Sequence, residues 1–325
     1  MQLTSLHKSA RRLNYWRKAL TQYMLPNSLY RAQAKRLMAS LTDAEREVVA
    51  RRVNYYVRLG ESTGATLSTR VGDYRYPLRA EKRNSLYFFD LYQTVSLFDR
   101  ELMFSYLFGD ITHEPDVPSF VKSRPIAAGT TRSAVMKLDA LRHFQFVHDS
   151  RPFGQKRDML VSRNHVTQAH RRLLLAMYHD HPLCDIGKTN TDSPEEHPEW
   201  VKPFMTIDEQ LGYKFIACIE GNDVATNLKW VMSSNSLAVM PKPRYETWYM
   251  EGTLQPGVHY VEVKPDYSDL IEQMQHYIAH PAEAEAIIRN AHDYVSQFQN
   301  QRIELATQIA CTEAYFKQTG QLLNV

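Results

Sequence analysis

Between Tyr213 and His280 the chain alternates apolar, β-rich runs with helical stretches, and this alternation constrains the fold more than any other feature. YKFIACIEG reads as a buried strand, VATNLKWVMSS as a helix, SLAVMPK and VHYVEVK as further strands, and YSDLIEQMQHYIAH as a second helix. Strands interleaved with helices in this way predict a parallel sheet with crossover helices. Upstream, MLVS at Met159 to Ser162, a helix over Ala169 to His179 and a strand in PLCDIGK extend the β-α-β pattern. The proline-rich stretch from Lys188 to Pro203 between them reads as a loop over a site.

The amino-terminal part reads differently. Leu37, Leu41, Val48 and Val49 recur near helical spacing, and Thr42-Asp43 supplies an amino-cap before Ala44. Beyond Gly60 come short apolar or β-rich runs, LYFFDLY around Phe89 and a clearer strand over Glu101 to Asp110, which puts Asp110 at a strand's carboxyl end. The run THEPDVPSFVKS then reads as the loop leaving that strand, where open α/β sheets bind ligands. Pro281 to about Gly320 should form two helices. The 325 residues suit two domains. The expected organisation is α/β throughout: a helical segment over 1–60, α/β domains over 61–155 and 156–300, and a closing helix over 301–325.

Apolar residues at 43% and charged residues at 23% exclude a disordered or membrane-immersed chain. A net charge of only +3 argues against a nucleic-acid partner. The basic residues are uneven: His7, Lys8, Arg11, Arg12, Arg17 and Lys18 cluster early, followed by Arg31, Lys35, Arg36, Arg51 and Arg52. Either an acidic partner or a solvated helix face accounts for them. Cys184, Cys218 and Cys311 are too dispersed for a disulfide framework or a Cys-x-x-Cys motif. The charge-interrupted start lacks the apolar core of a signal peptide, and no window reaches the ~20 apolar residues of a membrane span. A cytoplasmic protein is expected, with peripheral contact to a membrane face as an option.

Four groups could carry chemistry. In EGNDVATNLKW, Gly221, Asn222 and Asp223 permit a tight turn whose following helix would offer free N–H groups to a phosphate, with Lys229 as a charge partner. The same turn is equally a plain β-to-α connection. Arg163 and Arg171 bracket a loop and could converge on one anion, or face solvent. His165, His170, His179 and His181 lack the helical i, i+4 spacing of a zinc pair, so no metal site is expected. Asp110 is placed either to act as a general base or to cap the next turn.

From Tyr213 to Leu270 the ordered features resemble the family-90 glycosyltransferases, which include protein O-glucosyltransferases and bacterial enzymes of lipopolysaccharide core assembly. The matching set is a strand, a small-residue turn, a helix with Lys229, the Ser233-to-Ser236 turn, a strand, the aromatic run Trp248-Tyr249, Leu254, Pro256 and VHYVEVK-x-D-x-S-D-L. ATNLKWVMSSNS and ETWYMEG look closest to the lipopolysaccharide branch. The family's two-arginine loop lies onto Arg163 and Arg171, with Asn164 where a glycine is usual, and FSYLFGD resembles its strand ending in the catalytic aspartate. Asn227 stands where eukaryotic members tend to carry an arginine.

The resemblance implies a GT-B-like fold, two Rossmann-like domains facing across a cleft, the later one holding the donor. It implies inverting transfer of a hexose, glucose or galactose, from a UDP-sugar to a saccharide such as the lipopolysaccharide core. Asp110 would be the base, and Arg163, Arg171, Gly221, Asn222, Asp223, Asn227, Lys229 and Ser236 the donor-binding residues, with no cofactor and no metal. A non-catalytic binding protein that keeps the donor fold is the rival expectation.

Overall fold

The computed structural model describes residues 2–60, 66–76, 84–127, 129, 131–191 and 197–322, with side chains from residue 9 onward. In chain order its elements begin with α1 (Gln2–Met24), α2 (Asn27–Ala39), α3 (Asp43–Tyr56), β1 (Val57–Leu59), β2 (Thr69–Arg70), α4 (Ser85–Val95), β3 (Met103–Phe104) and β4 (Tyr106–Leu107). They continue with β5 (Ser119–Val121), β6 (Ser123–Pro125), β7 (Arg132–Val135), α5 (Ala140–His143), β8 (Arg157–Asn164), α6 (Ala169–Tyr178), β9 (Cys184–Lys188) and α7 (Ile207–Gln210). The remainder are β10 (Tyr213–Ala217), α8 (Leu228–Met232), β11 (Leu237–Met240), β12 (Tyr245–Thr247), β13 (Val261–Glu262), α9 (Leu270–Ala279), α10 (Pro281–Ser296) and α11 (Gln301–Gln318). None of the described helices is long and apolar enough to cross a membrane.

The chain forms two compact units. The first holds Met1–His143, Tyr245–Tyr249 and Phe298–Val325; the second holds Phe144–Arg244 and Met250–Gln297. This differs from the four consecutive segments expected, because α3 and α11 pack on β1, α1 on α4 and α2 on α11 rather than standing apart.

In the first unit the sheet order is β1-β7-β5-β4, with β7, β5 and β4 parallel and β1 antiparallel to β7. Thr42 and Glu45 close a capping box that starts α3. Glu304 of α11 is buried, and it accepts from Arg52 and Lys137 at 2.5 Å each and from Trp248 Nε1 at 2.8 Å. Trp248 stacks on Tyr56 with centroids 4.0 Å apart. Glu246, also buried, takes Arg124 Nε at 2.7 Å and the Tyr55 hydroxyl, which ties β12 to β6. The aromatic run at 248–249, read from sequence as part of the later domain, is therefore core of the first unit.

Two strand expectations fail in this unit. LYFFDLY is the helix α4: Phe88, Leu91, Tyr92 and Val95 bury one face at helical spacing, and this packing overrides the β-preference of aromatic residues. Glu101 to Asp110 is not one strand but the two-residue β3 and β4, interrupted at Ser105, so Asp110 lies three residues beyond β4.

In the second unit five parallel strands run in the order β13-β11-β10-β8-β9. Leu160, Val161, Ile186, Phe215 and Ile216 are wholly buried, the near-continuous apolar runs of a sheet covered on both faces. Leu174 and Leu175 of α6, Met274 of α9 and Ile287 of α10 share its core. Each such side chain contributes roughly 1.5–3 kcal/mol relative to exposure. Counted within the unit, the strand order is 2-1-3-4-5, so the chain reverses direction across the sheet between β8 and β10. In open α/β sheets ligands bind outside the carboxyl ends of the strands at such a switch point.

Candidate functional site

The loops after β8 and β10 meet at this switch point, and Arg171 in the first turn of α6 joins them. Its Nη1 donates to the His165 carbonyl at 2.8 Å, Nε to Glu220 at 2.9 Å and Nη2 to Ile219 at 2.8 Å. All three partners are carbonyl oxygens, and burial lowers the guanidinium's pKa. A Cβ on Gly221 would lie 3.3 Å from Arg171 Nη2, so a glycine there lets the arginine reach across. Gln168 Nε2 donates to Asn222 Oδ1 at 2.9 Å, a second link between the loops, and His170 Nε2 lies 2.8 Å from the Glu220 carbonyl.

Two further loops arrive at the same edge. The Glu220 carboxylate accepts from the backbone N and Nε of Arg244, after β11, at 2.8 Å each. After β13, Tyr267 is held at φ +58 and is almost fully buried. Burial pushes its hydroxyl up to about 12, with Arg171 and Arg244 pulling the other way. KPDYSDL builds that turn itself: Asp269 accepts from the Lys264 amide at 2.9 Å, and Asp266 from the Ser268 amide and hydroxyl.

Of the expected donor residues, Arg171, Gly221 and Asn222 come together here, and Asp223 follows them, buried. Asn227 donates to the Ala217 carbonyl at 2.9 Å and so closes the end of β10. The expected helix over Val224 to Ser234 shrinks to the five residues of α8, because the buried Asp223-Val224-Ala225 segment bends and Asn227 bonds back to β10. The amides of Asn222 and Asp223 are thus turn amides rather than the start of a helix.

Three expectations place elsewhere. Lys229 is wholly buried and paired with Glu251 at 2.6 Å, so its charge is consumed inside the unit. Arg163 turns to the Asp185 side chain at 2.7 Å and to the carbonyls of Ser162, Asp185 and Pro203. Burial opposes the Asp185 charge, but hydrogen bonds from Tyr213, Arg163 and Lys202 outweigh it and hold the carboxyl at about 2. Ser236 precedes β11, at the opposite, amino edge of the sheet, where it donates to the Tyr213 carbonyl and accepts from Lys156, both at 2.7 Å. Of the four histidines, His179 pairs with Asp180, His170 sits by the Glu220 carbonyl and His181 accepts from the Leu183 amide.

The parallel strands of the first unit also have a carboxyl edge. Gly109, at φ +113, turns the chain after β4 and presents Asp110, which meets Lys122 Nζ, just past β5, at 2.5 Å. The lysine side chain is buried and the aspartate is 29% exposed, so the carboxylate is ion-paired yet reachable. Past β7, Asp139 at φ +53 binds Arg142 Nε at 2.9 Å, with His143 Nε2 at 3.8 Å. The Tyr87 hydroxyl, raised by burial, feels Lys122, Asp139, Asp110 and Arg142. Lys122, Tyr87, Glu220, Arg244 and Tyr267 were not singled out from sequence. Only Tyr267 left a mark there, as the residue inside the Asp-x-Ser-Asp turn.

A family model described as Glycosyl transferase family 90 matches residues 142–304. The O-glucosyltransferase LpsA of Dichelobacter nodosus is 46% identical over 235 residues, 72% of this chain and 73% of that protein. The uncharacterized protein 035R of Invertebrate iridescent virus 3 is 36% identical over 92 residues, 28% of this chain and 8% of that protein.

Proposed function

The chain belongs to glycosyl transferase family 90 and acts in glycosyl transfer, and on that premise we propose that it moves a hexose from a UDP-sugar to a saccharide acceptor with inversion. The observation that carries this reading is Arg171, lodged at the switch point with Nε, Nη1 and Nη2 each bonded to a carbonyl oxygen. A cation so held keeps its charge for a diphosphate. In a GT-B-like division of roles the second unit takes the donor, and the first supplies the base. Similarity to an O-glucosyltransferase favours glucose over galactose, and the lipopolysaccharide core is the acceptor we assign.

Asp110 accepts the proton of the attacking hydroxyl as the new bond to the anomeric carbon forms. The bond from that carbon to the diphosphate breaks and the electron pair leaves with the diphosphate. Arg171 and the turn amides near Asn222 meet the developing charge, fixed donors in the role a divalent cation fills elsewhere. Lys122 orients Asp110 through their ion pair. Arg163, Lys229 and Ser236 serve by holding the second unit's strands and loops rather than by touching the donor.

Thermal-shift screening against nucleotide sugars tests the donor. UDP-glucose near 100 times its Kd should raise Tm by about 5 °C. Stabilisation by a non-uridine donor instead, or by saccharides without any nucleotide sugar, overturns it, the second outcome favouring a non-catalytic binding protein.

We also assign an anionic membrane face as the place of the acceptor, reached from the cytoplasm. Leu13, Leu20 and Met24 fall on one face of α1 and are 72%, 45% and 80% exposed. Residues 1–42 contain eight Lys and Arg and neither Asp nor Glu. The other face of α1 is held by Tyr15 on Asp90 and Gln22 on the Gln93 carbonyl. Arg11 turns to the Leu141 carbonyl at 2.7 Å, and among the described side chains of α1 Arg12, Arg17 and Lys18 are exposed cations. Such a face suits interfacial binding. Flotation with phosphatidylglycerol vesicles, abolished by Leu13→Ser with Leu20→Ser and Met24→Ser, is expected; equal flotation of the triple variant removes the assignment.

A further inference from the structure

A cavity of about 270 Å³ in the first unit is lined by Asn27, Arg31, Val71, Gly72, Tyr92 and Ser96, with Arg75 and Arg100 completing its wall. Ser96 is 3% exposed, Val71, Gly72 and Tyr92 are buried, and Arg75 and Arg100 are exposed, so the cavity has a closed floor and a cationic mouth.

We propose that this cavity binds a phosphoryl group, a second anion site separate from the donor and acceptor edges. Three arginines line one small space, the arrangement that favours charge-assisted and bidentate contacts to phosphate oxygens. Among the described residues three buried polar atoms of its lining have no hydrogen-bond partner: Arg31 Nε, Ser96 Oγ and Asn27 Oδ1. Buried polar atoms are rarely left unmatched, and a donor-rich set of this kind is completed by an acceptor-rich ligand. Asn27 presents either end of its amide after a flip.

The surrounding structure holds the cations in place. Arg31 Nη2 donates to the Phe98 carbonyl at 2.5 Å, which leaves its Nε edge on the cavity. Arg75 Nη1 donates to the Tyr74 carbonyl at 3.0 Å. The Gly72 amide donates to the Arg100 carbonyl at 2.8 Å, and a Cβ on Gly72 would lie 3.0 Å from that oxygen, so the glycine lets the Arg100 segment close in. Asp73 feels both Arg75 and Arg100, but its carboxylate is already gripped by Arg70 Nε and Nη2 at 2.8 and 3.1 Å. Asn27 is the first residue of α2, whose cap Pro26 offers no side-chain bond to the first turn, so the helix end adds its own preference for an anion.

The volume, roughly nine waters by liquid volume, admits a phosphate together with the small group that carries it, so the ligand is a phosphate monoester or free phosphate, or the headgroup of a lipid whose chains stay outside. Calorimetric titration of the full chain with inorganic phosphate at constant ionic strength, in the absence of any donor, tests the proposal. One saturable site is expected, weakened at least about tenfold in Arg75→Gln with Arg100→Gln. Ser96→Val, which fills the floor, should weaken it as well, and circular dichroism confirms that each variant is folded. Dihexanoyl phosphatidic acid binding more tightly than phosphate supports a lipid source, and equal or weaker binding supports a soluble one. No binding up to about 10 mM phosphate, or unchanged affinity in the folded arginine variant, overturns it. Because no nucleotide sugar enters the experiment, its failure leaves the transferase reading untouched.

Discussion

At the carboxyl edge of the five-stranded sheet Arg171 spends its bonds on neutral carbonyl oxygens, whereas at the carboxyl edge of the four-stranded sheet Asp110 meets a buried ammonium at 2.5 Å. The difference matches the roles proposed for the two edges. A group that must attract a multiply charged ligand keeps its charge uncompensated by an acid. A group that must accept a proton has first to stay ionised, and a neighbouring cation does that at some cost in basicity. Lys229 shows the third possibility: matched by Glu251 and wholly buried, it belongs to the fold.

Substitutions can break this contrast. Asp110→Asn should lower kcat by about 10²–10⁴-fold while calorimetric donor affinity stays near wild type; full activity would return Asp110 to the role of a turn residue. Lys229→Met removes the cation paired with buried Glu251 and should cost roughly 3–5 kcal/mol in urea unfolding, most of it recovered when Glu251→Leu is added. An unstable double variant would mean that the pair does more than neutralise itself.

Asp90 sharpens the picture of the first edge, since it accepts from Tyr15 at 2.8 Å and from the Ala140 amide, next to Asp139, at 2.9 Å. Burial lifts its carboxyl to about 7, despite the bonds from Ala140 and Tyr15. The folded state therefore binds this proton more tightly than the unfolded chain does. Its contribution is full below about pH 4 and is lost as pH rises to about 7, at most about 4 kcal/mol. Unfolding measured across that range should lose part of its downward slope in Asp90→Asn. The smallest effect belongs to the two arginines: Arg171→Ala should weaken donor binding about 10–100-fold with a modest Tm change, and Arg163→Ala should do the reverse. Equal losses of donor affinity would erase the distinction between them.

Much of the second unit was legible in its residues. The strands from Met159 to Lys264 announce themselves as apolar runs because both sheet faces are covered, and the helices between them carry a helical period. Thr42 with Glu45, and the Asp-x-Ser-Asp turn around Tyr267, are local chemistry within a few residues of chain and need no distant partner. The first unit was harder to read. Its strands are two to four residues long, too short for a period to register, and LYFFDLY took its helical form from what α1 lays against it.

The sequence by itself determined that a parallel α/β unit would form, that Gly221 and Asn222 would stand in a turn after a strand, and that Asp110 would follow a β-segment. Tertiary structure alone decided which charges remain available. Arg163 and Arg171 are the same residue type eight positions apart, yet one finds Asp185 on the neighbouring strand and the other only carbonyls. Ser236 lies on the wrong edge because strand direction, not spacing along the chain, assigns a residue to an end of the sheet. Charge acts through space at distances of a few ångströms, and the neighbours that set it are supplied by the fold.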